Sequence, residues 1–255
     1  MRELQVSFDS HGGTLRGVLH IPHGKKKSPC VLFLFGLTET KHEEVFLFRD
    51  ISRILVKSGI ASLRVDYRGM GDSDGESGQF TVWNRLEDAV SEIKFILNRE
   101  EIDGKRIGVL GSGSGGFIAA LITGKAPVKA MMLFNAVADE KARWEKGIMP
   151  ESFSFKSLNK KGFDLNGLNI GKRYFQSISA SEGKNIQSIG KFKGPLNIVH
   201  DRTCIVPVSE ALIYKKAAGS NIKQMVVLSN VSTQTALERR GKIIRLTKKW
   251  FSKHL

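Results

Sequence analysis

The chain has 255 residues, of which 41% are hydrophobic and 25% charged, proportions that are ordinary for one packed globular domain. No run approaches the roughly 18 uninterrupted apolar residues of a membrane-spanning helix, which argues against a transmembrane protein. Two cysteines, Cys30 and Cys204, cannot make a disulfide scaffold, and the polar N-terminus lacks the apolar segment of a secretory signal, so we expect a reduced, cytoplasmic chain.

The net charge of +15 is distributed unevenly. Residues 1–140 contain 18 Lys/Arg and 18 Asp/Glu, whereas residues 141–255 contain 22 Lys/Arg and 7 Asp/Glu. Such an asymmetry attracts anions over a long range, and the candidate partners are nucleic acid, an anionic membrane surface, an acidic protein and a phosphorylated ligand, but the pattern favours a role in solubility alone. The basic residues are dispersed, and we predict no sequence-specific nucleic-acid site.

The N-terminal half alternates between strand and helix patterns. Two alternating stretches at residues 4–8 and 14–21, separated by the turn signal His11-Gly12-Gly13, predict an antiparallel pair. Further strands are predicted at 30–35, 60–65, 106–110 and 128–134, and helices at about 44–57, at 81–98 with Thr81 as N-cap, and at 115–123. This alternation of continuous apolar strands with helices predicts an α/β fold with a mostly parallel, doubly wound sheet.

Residues 136–190 interrupt the alternation with polar, basic and irregularly spaced aromatic residues. The pattern resumes with a strand at 196–200, a helix near 207–218, a strand at 224–228 and a final amphipathic helix at about 236–253. An excursion of this length usually lies over the C-terminal ends of the strands, where ligands bind. We therefore predict a core of residues 1–135 and 191–255, and a small cap at 136–190 that places Trp144 against a ligand.

Four segments carry a family resemblance. They are FGLTETKH at 35–42, RVDYRGMGDSDG at 64–75, GSGSGG at 111–116 and HDRTCIVP at 200–207. With them the chain resembles the α/β-hydrolase fold superfamily, in particular small-capped bacterial esterases and acyl hydrolases of the feruloyl-esterase and serine-aminopeptidase type. The resemblance covers nearly the whole chain and implies a Ser–His–Asp triad acting on an acyl substrate.

The nucleophile of this superfamily lies at the centre of G-x-S-x-G, on a strained turn between a strand and a helix. The corresponding pentapeptide at 111–115 has Gly113 at its centre, and a glycine has no atom that can attack a carbonyl. Ser112 and Ser114 flank it and are the alternative nucleophiles. We expect Ser114 to begin the helix and to cap its N–H groups.

The general base and the acid also depart from the family pattern. A hydroxyl nucleophile needs a base near the working pH, which histidine supplies. By the resemblance that histidine follows the last strand, where Thr233 stands and residues 229–234 contain no histidine. Counting back from Pro207 places Thr203 at the acid position, and Asp201 lies two residues earlier.

The loop after the third strand also departs from the family pattern, because Phe35 stands where the family usually has histidine. Leu37 keeps a backbone N–H that can serve as an oxyanion donor. We predict a non-hydrolytic pseudoenzyme with a degenerate triad that binds a small acyl- or ester-like ligand. The predicted binding residues are Phe35, Gly36, Leu37, Ser112, Gly113, Ser114 and Trp144.

Two alternatives remain open. The chain could be an active hydrolase that uses Ser112 or Ser114 with His42, Asp201 or Cys204 recruited nearby, or it could bind polyanions through its basic C-terminal half. The six histidines are scattered and no two share an i, i+4 helical face, so we predict no metal site and no cofactor.

Overall fold

The computed structural model of the chain describes residues 1–24, 26–37, 39–145, 156–158, 162–165, 168–228 and 236–255. Eight strands form the main sheet in the order β1-β2-β4-β3-β5-β6-β10-β11. They are β1 (Arg2–Ser10), β2 (Gly13–Ile21), β3 (Ser28–Leu34), β4 (Ala61–Val65), β5 (Ile102–Ser112), β6 (Ala130–Phe134), β10 (Leu196–Asp201) and β11 (Lys223–Leu228). The predicted mostly parallel α/β sheet is confirmed, and β2 alone pairs antiparallel with both neighbours.

Helices lie in the connections between the parallel strands, as crossovers require, and α8 follows the last strand. They are α1 (Leu47–Lys57), α2 (Val82–Leu97), α3 (Ser114–Ile122), α4 (Glu140–Glu145), α5 (Lys172–Ser181), α6 (Lys184–Lys191), α7 (Val208–Ala217) and α8 (Ala236–His254). Two short 3-10 helices lie at Glu44–Phe46 and Ser77–Gln79. Among the described residues, no helix is both long enough and apolar enough to cross a membrane.

Helix α2 begins and packs largely as its pattern predicts. The hydroxyl of Thr81 accepts the N–H of Asn84 at 3.0 Å and so caps the first turn. Leu97, near the end of the helix, does not belong to its buried face, because this side chain is 41% exposed. The buried face of α2 instead includes three charged side chains, those of Arg85, Asp88 and Glu92, which an analysis based on apolar spacing does not find.

The segment predicted as a cap contributes a second, small antiparallel sheet. Its strands are β7 (Lys156–Leu158), β8 (Gly162–Leu165) and β9 (Leu168–Gly171). Helix α6, which precedes β10, packs on α3 and α7, two of the helices that cover the main sheet. The division into a core and a cap at 136–190 stays a prediction.

The parallel strands β3, β5, β6 and β10 end at the same edge of the main sheet. The loops that follow them therefore meet there, and such an edge is where open α/β sheets usually bind ligands. This edge brings the loop at 35–37, the turn at 113 and the residues after β6 and β10 close together.

Candidate functional site

The turn between β5 and α3 has an unusual backbone at Gly113. Its φ is 53° and its ψ is −126°, a combination that side-chain-bearing residues rarely adopt. The N–H of Gly113 donates to the carbonyl oxygen of Phe134, and its own carbonyl oxygen accepts the N–H groups of Gly116 and Val137. These hydrogen bonds fix the turn against the end of β6.

The glycines around this turn allow α3 to approach the sheet closely. A Cβ added at Gly115 would lie 2.1 Å from the carbonyl oxygen of Leu34, and one at Gly111 would lie 2.7 Å from the Cβ of Ala119. At Gly113 the nearest atom to an added Cβ is the Cα of Gly36, 3.7 Å away, which is an ordinary contact. The missing side chain of Gly113 would therefore have room, and it would face the loop after β3.

The two serines beside Gly113 are both buried and point to different partners. The Ser112 hydroxyl donates to Oε1 of Glu43 at 2.6 Å, and Ser112 is 4% exposed. The Ser114 hydroxyl, in a residue only 1% exposed, accepts a hydrogen bond from Nη1 of Arg85 at 3.0 Å. Ser114 does begin α3, but the expected cap is wrong, because this hydroxyl faces Arg85 and no side-chain cap bond forms.

The loop after β3 presents its backbone towards the turn. The ring of Phe35 is fully buried and lies 4.3 Å from the ring of Tyr67, so its side chain packs in the core. The carbonyl oxygen of Phe35 accepts a hydrogen bond from Nη2 of Arg85 at 2.6 Å. Gly36 and Leu37 follow, and Leu37 is also buried.

All six histidines lie in the described part of the chain, and none of the hydrogen bonds found there joins one to Ser112, Ser114 or Asp201. Nε2 of His200, the residue before the last one of β10, donates to the carbonyl oxygen of Val206 at 2.8 Å. Nδ1 of His42 accepts from Arg64 at 3.2 Å. Burial lowers the pKa of both histidines, and the positive charge of Arg64 lowers the pKa of His42 further.

At the end of β10, Asp201 is held within its own loop. Its Oδ1 accepts hydrogen bonds from the N–H of Thr203 at 2.9 Å and from the Thr203 hydroxyl at 2.8 Å. Its backbone N–H donates to Oδ1 of Asn135, and Oδ2 lies 3.8 Å from Nε of Arg239. Thr233, predicted to occupy the histidine position, lies outside the described residues.

A pocket of about 450 Å³ opens beside these groups, between the ends of β6 and β10 and helix α8. Its polar lining includes Glu43, Asn135, Asp201, Thr203 and Arg239, and its apolar lining includes Val45, Leu47, Phe134, Leu237 and Ile243. Cys204 also lines it. This volume is in the range of small-molecule sites.

Trp144 lies in an aromatic cluster at the other side of the site. Its ring contacts Tyr174 at 6.1 Å and Phe175 at 4.9 Å between centroids, both edge to face. Tyr174 in turn contacts Phe80, which contacts Tyr67. This row of rings links Trp144 to Phe35, and both aromatic side chains pack against protein groups.

Arg85 and Glu43, whose side chains contact the residues flanking Gly113, were not predicted from the sequence. The available signal for Arg85 was a charge on the apolar face of α2. For Glu43 there was none, because its role depends on a positive φ of 57° in the loop before α1.

Comparisons with known proteins agree with this architecture. Residues 29–170 match the sequence model of the family described as serine aminopeptidase, S33. The chain is 27% identical over 222 residues to an uncharacterized 31.7 kDa protein of Escherichia coli from the traX-finO intergenic region, with 85% of this chain and 76% of that protein covered. It is 30% identical over 114 residues to the quorum-quenching protein AidA of Acinetobacter baumannii, with 44% and 36% covered.

Solved structures share the fold at low identity. Est1E from Butyrivibrio proteoclasticus, determined with bound ferulic acid, superposes with a TM-score of 0.80 at 17% identity and covers 98% of both chains. An esterase domain from Rhodothermus marinus gives a TM-score of 0.72 at 21% identity, with 100% of this chain and 99% of that chain covered.

Proposed function

Because the chain belongs to the serine aminopeptidase (S33) family, with the α/β-hydrolase fold, we propose that it is a non-hydrolytic member that binds a small acyl- or ester-like ligand. The observation that carries the proposal is Gly113. It has the backbone angles expected of a nucleophile turn, at the junction of β5 and α3, and it bears no nucleophile. Acyl transfer by a hydroxyl at this position therefore has no attacking group.

The proposed site keeps the features that would hold a ligand oxygen. The first N–H groups of a helix have no acceptor within the helix, and α3 begins at Ser114 beside the turn. The loop containing Gly36 and Leu37 faces the same point, as the 3.7 Å approach of an added Cβ to Gly36 indicates. A carbonyl or carboxylate oxygen would occupy the space that a serine side chain fills in active relatives.

Ferulic acid, the ligand of the Est1E structure, is a suitable probe for this proposal. We expect it to bind, as measured by isothermal titration calorimetry, and we expect Gly113→Ala to weaken binding by at least about tenfold because the added methyl group enters the space of the ligand oxygen. The same substitution strains the backbone by about 1–2 kcal/mol, because φ is positive.

Gly59→Ala is the matched control for that strain. Gly59 also has a positive φ, 79°, and an added Cβ there meets nothing within 4 Å. Gly59→Ala should lower the free energy of unfolding by an amount similar to that of Gly113→Ala, and its affinity for ferulic acid should equal that of the unmodified chain. Equal binding by Gly113→Ala and the unmodified chain would place the ligand elsewhere, and release of ferulate from methyl ferulate would contradict the non-hydrolytic proposal.

A second candidate function, hydrolysis by Ser112, has one specific observation in its favour. The Ser112 hydroxyl donates to the Glu43 carboxylate at 2.6 Å, the geometry of a nucleophile and its base. In such a step the proton passes from Oγ to Glu43 while Oγ attacks the ester carbonyl carbon and the C=O π electrons move onto the carbonyl oxygen. The intermediate then collapses and expels the alcohol, which takes the proton from Glu43, and water hydrolyses the acyl-serine in the same way. Three of the four residues 43–46 are non-glycine residues with positive φ, namely Glu43, Val45 and Phe46, so the loop on this side is strained, as loops at functional sites often are.

We rank this candidate second because Ser112 is only 4% exposed and its hydroxyl is bound to Glu43 in the loop before α1, whereas an added Cβ at Gly113 faces Gly36. Turnover of p-nitrophenyl acetate and butyrate distinguishes the two. Turnover that disappears in Ser112→Ala and Glu43→Gln but persists in Ser114→Ala would establish the second function. Absence of turnover in the unmodified chain would eliminate it.

A further inference from the structure

Arg85 is a charged side chain almost completely enclosed behind the proposed site. It is 1% exposed and lies on the buried face of α2. Buried charges are normally paired with an opposite charge, because removing an ion from water is costly. The ion pairs that α2 makes within the described residues join Glu87 and Asp88 to Arg68, and none includes Arg85.

Its hydrogen-bond acceptors are neutral and belong to the two segments that face each other at the site. Nη2 donates to the carbonyl oxygen of Phe35 at 2.6 Å, directly before Gly36 and Leu37. Nη1 donates to the Ser114 hydroxyl at 3.0 Å, directly after Gly113. One rigid, planar guanidinium therefore bridges the loop after β3 and the start of α3.

Aromatic rings complete the enclosure. The guanidinium carbon lies 4.7 Å from the centroid of the Tyr67 ring and 5.3 Å from that of Phe80, which places the charge over two π-faces. The acids whose pKa responds to Arg85 are Glu92 and Glu140, both buried. Burial raises the pKa of each carboxyl, so their ability to neutralise the guanidinium is reduced.

We infer that Arg85 is the positioning residue of the site at Gly113, and that its charge, which makes no salt bridge within the described residues, directs the site to a carboxylate rather than a neutral ester. This inference rests on the proposed function for its ligand but not for its geometry. The guanidinium fixes the two backbone segments relative to each other, and its charge adds to the positive end of α3. A carboxylate at the turn would supply the missing counter-charge.

The geometric part is tested without any ligand, by amide hydrogen exchange in Arg85→Met. We expect amide exchange at residues 34–37 and 113–116 to accelerate by at least about tenfold, because hydrogen bonds to charged groups are stronger than those between neutral groups. Exchange in β10 should accelerate less. Arg68→Met is the matched control, because Arg68 contacts Asp88 and Glu87 and touches neither Phe35 nor Ser114. Equal acceleration by both variants, or none by Arg85→Met, would overturn the positioning role.

If Arg85→Met fails to fold, Ser114→Ala serves in its place. It removes one of the two acceptors and keeps the charge, so exchange at 113–116 should accelerate more than exchange at 34–37. If exchange at 113–116 is no faster than exchange at 34–37 in this variant, the positioning role of Arg85 is overturned.

The ligand part is tested with ferulate and its neutral analogue methyl ferulate. The unmodified chain should bind ferulate about tenfold or more tightly than methyl ferulate, and Arg85→Met should abolish the difference. Arg85→Lys keeps the charge without the planar fork, so it should restore the ferulate preference but leave exchange at 34–37 fast. Equal affinity of the unmodified chain for both compounds would overturn the carboxylate assignment, whereas failure of both to bind would reject the proposed function and leave the exchange result standing.

Discussion

At Gly113 the residue type decides whether the turn between β5 and α3 carries a side chain. With φ at 53° and ψ at −126°, any side chain here stores strain, and an enzyme tolerates that strain because it aims the nucleophile. Glycine adopts the same angles without strain. The turn can therefore keep its geometry, including the hydrogen bonds to Phe134 and Val137, without a side chain that attacks a substrate.

Restoring hydrolysis should require all three triad positions. We predict that Gly113→Ser combined with Thr233→His gives little turnover of p-nitrophenyl butyrate, because Asp201 is bound to the N–H and hydroxyl of Thr203 in its own loop. Adding Thr203→Asp should raise turnover by about 10³–10⁴-fold, the usual effect of the triad acid. Full turnover in the double variant would show that the acid has been assigned to the wrong residue.

Glu92 is a second residue whose environment has a measurable consequence. Its side chain is fully buried on α2, and neither carboxyl oxygen has a hydrogen-bond partner among the described residues. Burial, followed by the negative charges of Asp88 and Asp66, raises its pKa well above the usual value. A raised folded-state pKa stabilises the fold below the ordinary pKa near 4.5, and this stabilisation is lost as pH rises through the folded-state pKa.

Glu92→Gln should therefore have little effect on the free energy of unfolding at pH 5 and should increase it by about 1–3 kcal/mol at pH 8.5, relative to the unmodified chain, because no buried carboxylate then ionises. Urea denaturation at the two pH values measures the difference. Glu87→Gln, at a more exposed position of the same helix, provides the comparison. A gain that is the same at both pH values would mean that Glu92 is not titrating.

At the scale of elements, the close approach of α3 to β3 holds the turn in place. The strand and helix positions on both sides of the site could be predicted from alternating apolar runs, because burial on two faces leaves a continuous apolar strand. The charged contacts of the site could not be predicted in this way. Arg85 and Glu92 occupy positions of α2 that spacing alone assigns to apolar residues, and the Ser112–Glu43 bond depends on a loop conformation that the sequence does not encode locally.

The packing of α3 predicts a strong position dependence for glycine replacement. Gly115→Ala places a Cβ 2.1 Å from the carbonyl oxygen of Leu34, so we expect it to destabilise the fold by about 3 kcal/mol or more. Gly124→Ala, where an added Cβ meets nothing within 4 Å, should change stability by less than about 0.5 kcal/mol. Thermal unfolding of the two variants compares them, and similar melting temperatures would contradict the packing of α3 against β3.

For the whole molecule, the family match and the mostly parallel sheet describe the scaffold but do not explain the basic C-terminal half. Its lysines are spread over several elements, including exposed Lys215 and Lys216 on α7 and Lys191 at the end of α6. We propose an acidic protein as the partner that this charge favours, since dispersed lysines lack the base-reading groups of a specific nucleic-acid site. Binding that falls steeply with salt and does not depend on nucleic-acid sequence would support polyanion binding instead.

The measurement that most directly tests loss of the hydrolytic machinery is the intact mass of the protein after incubation with a fluorophosphonate, which reacts with activated serines. We predict no adduct on the unmodified chain over a period in which an active esterase is fully labelled. A stoichiometric adduct that is lost in Ser112→Ala or Ser114→Ala would show that a working nucleophile remains, and the non-hydrolytic assignment would be wrong.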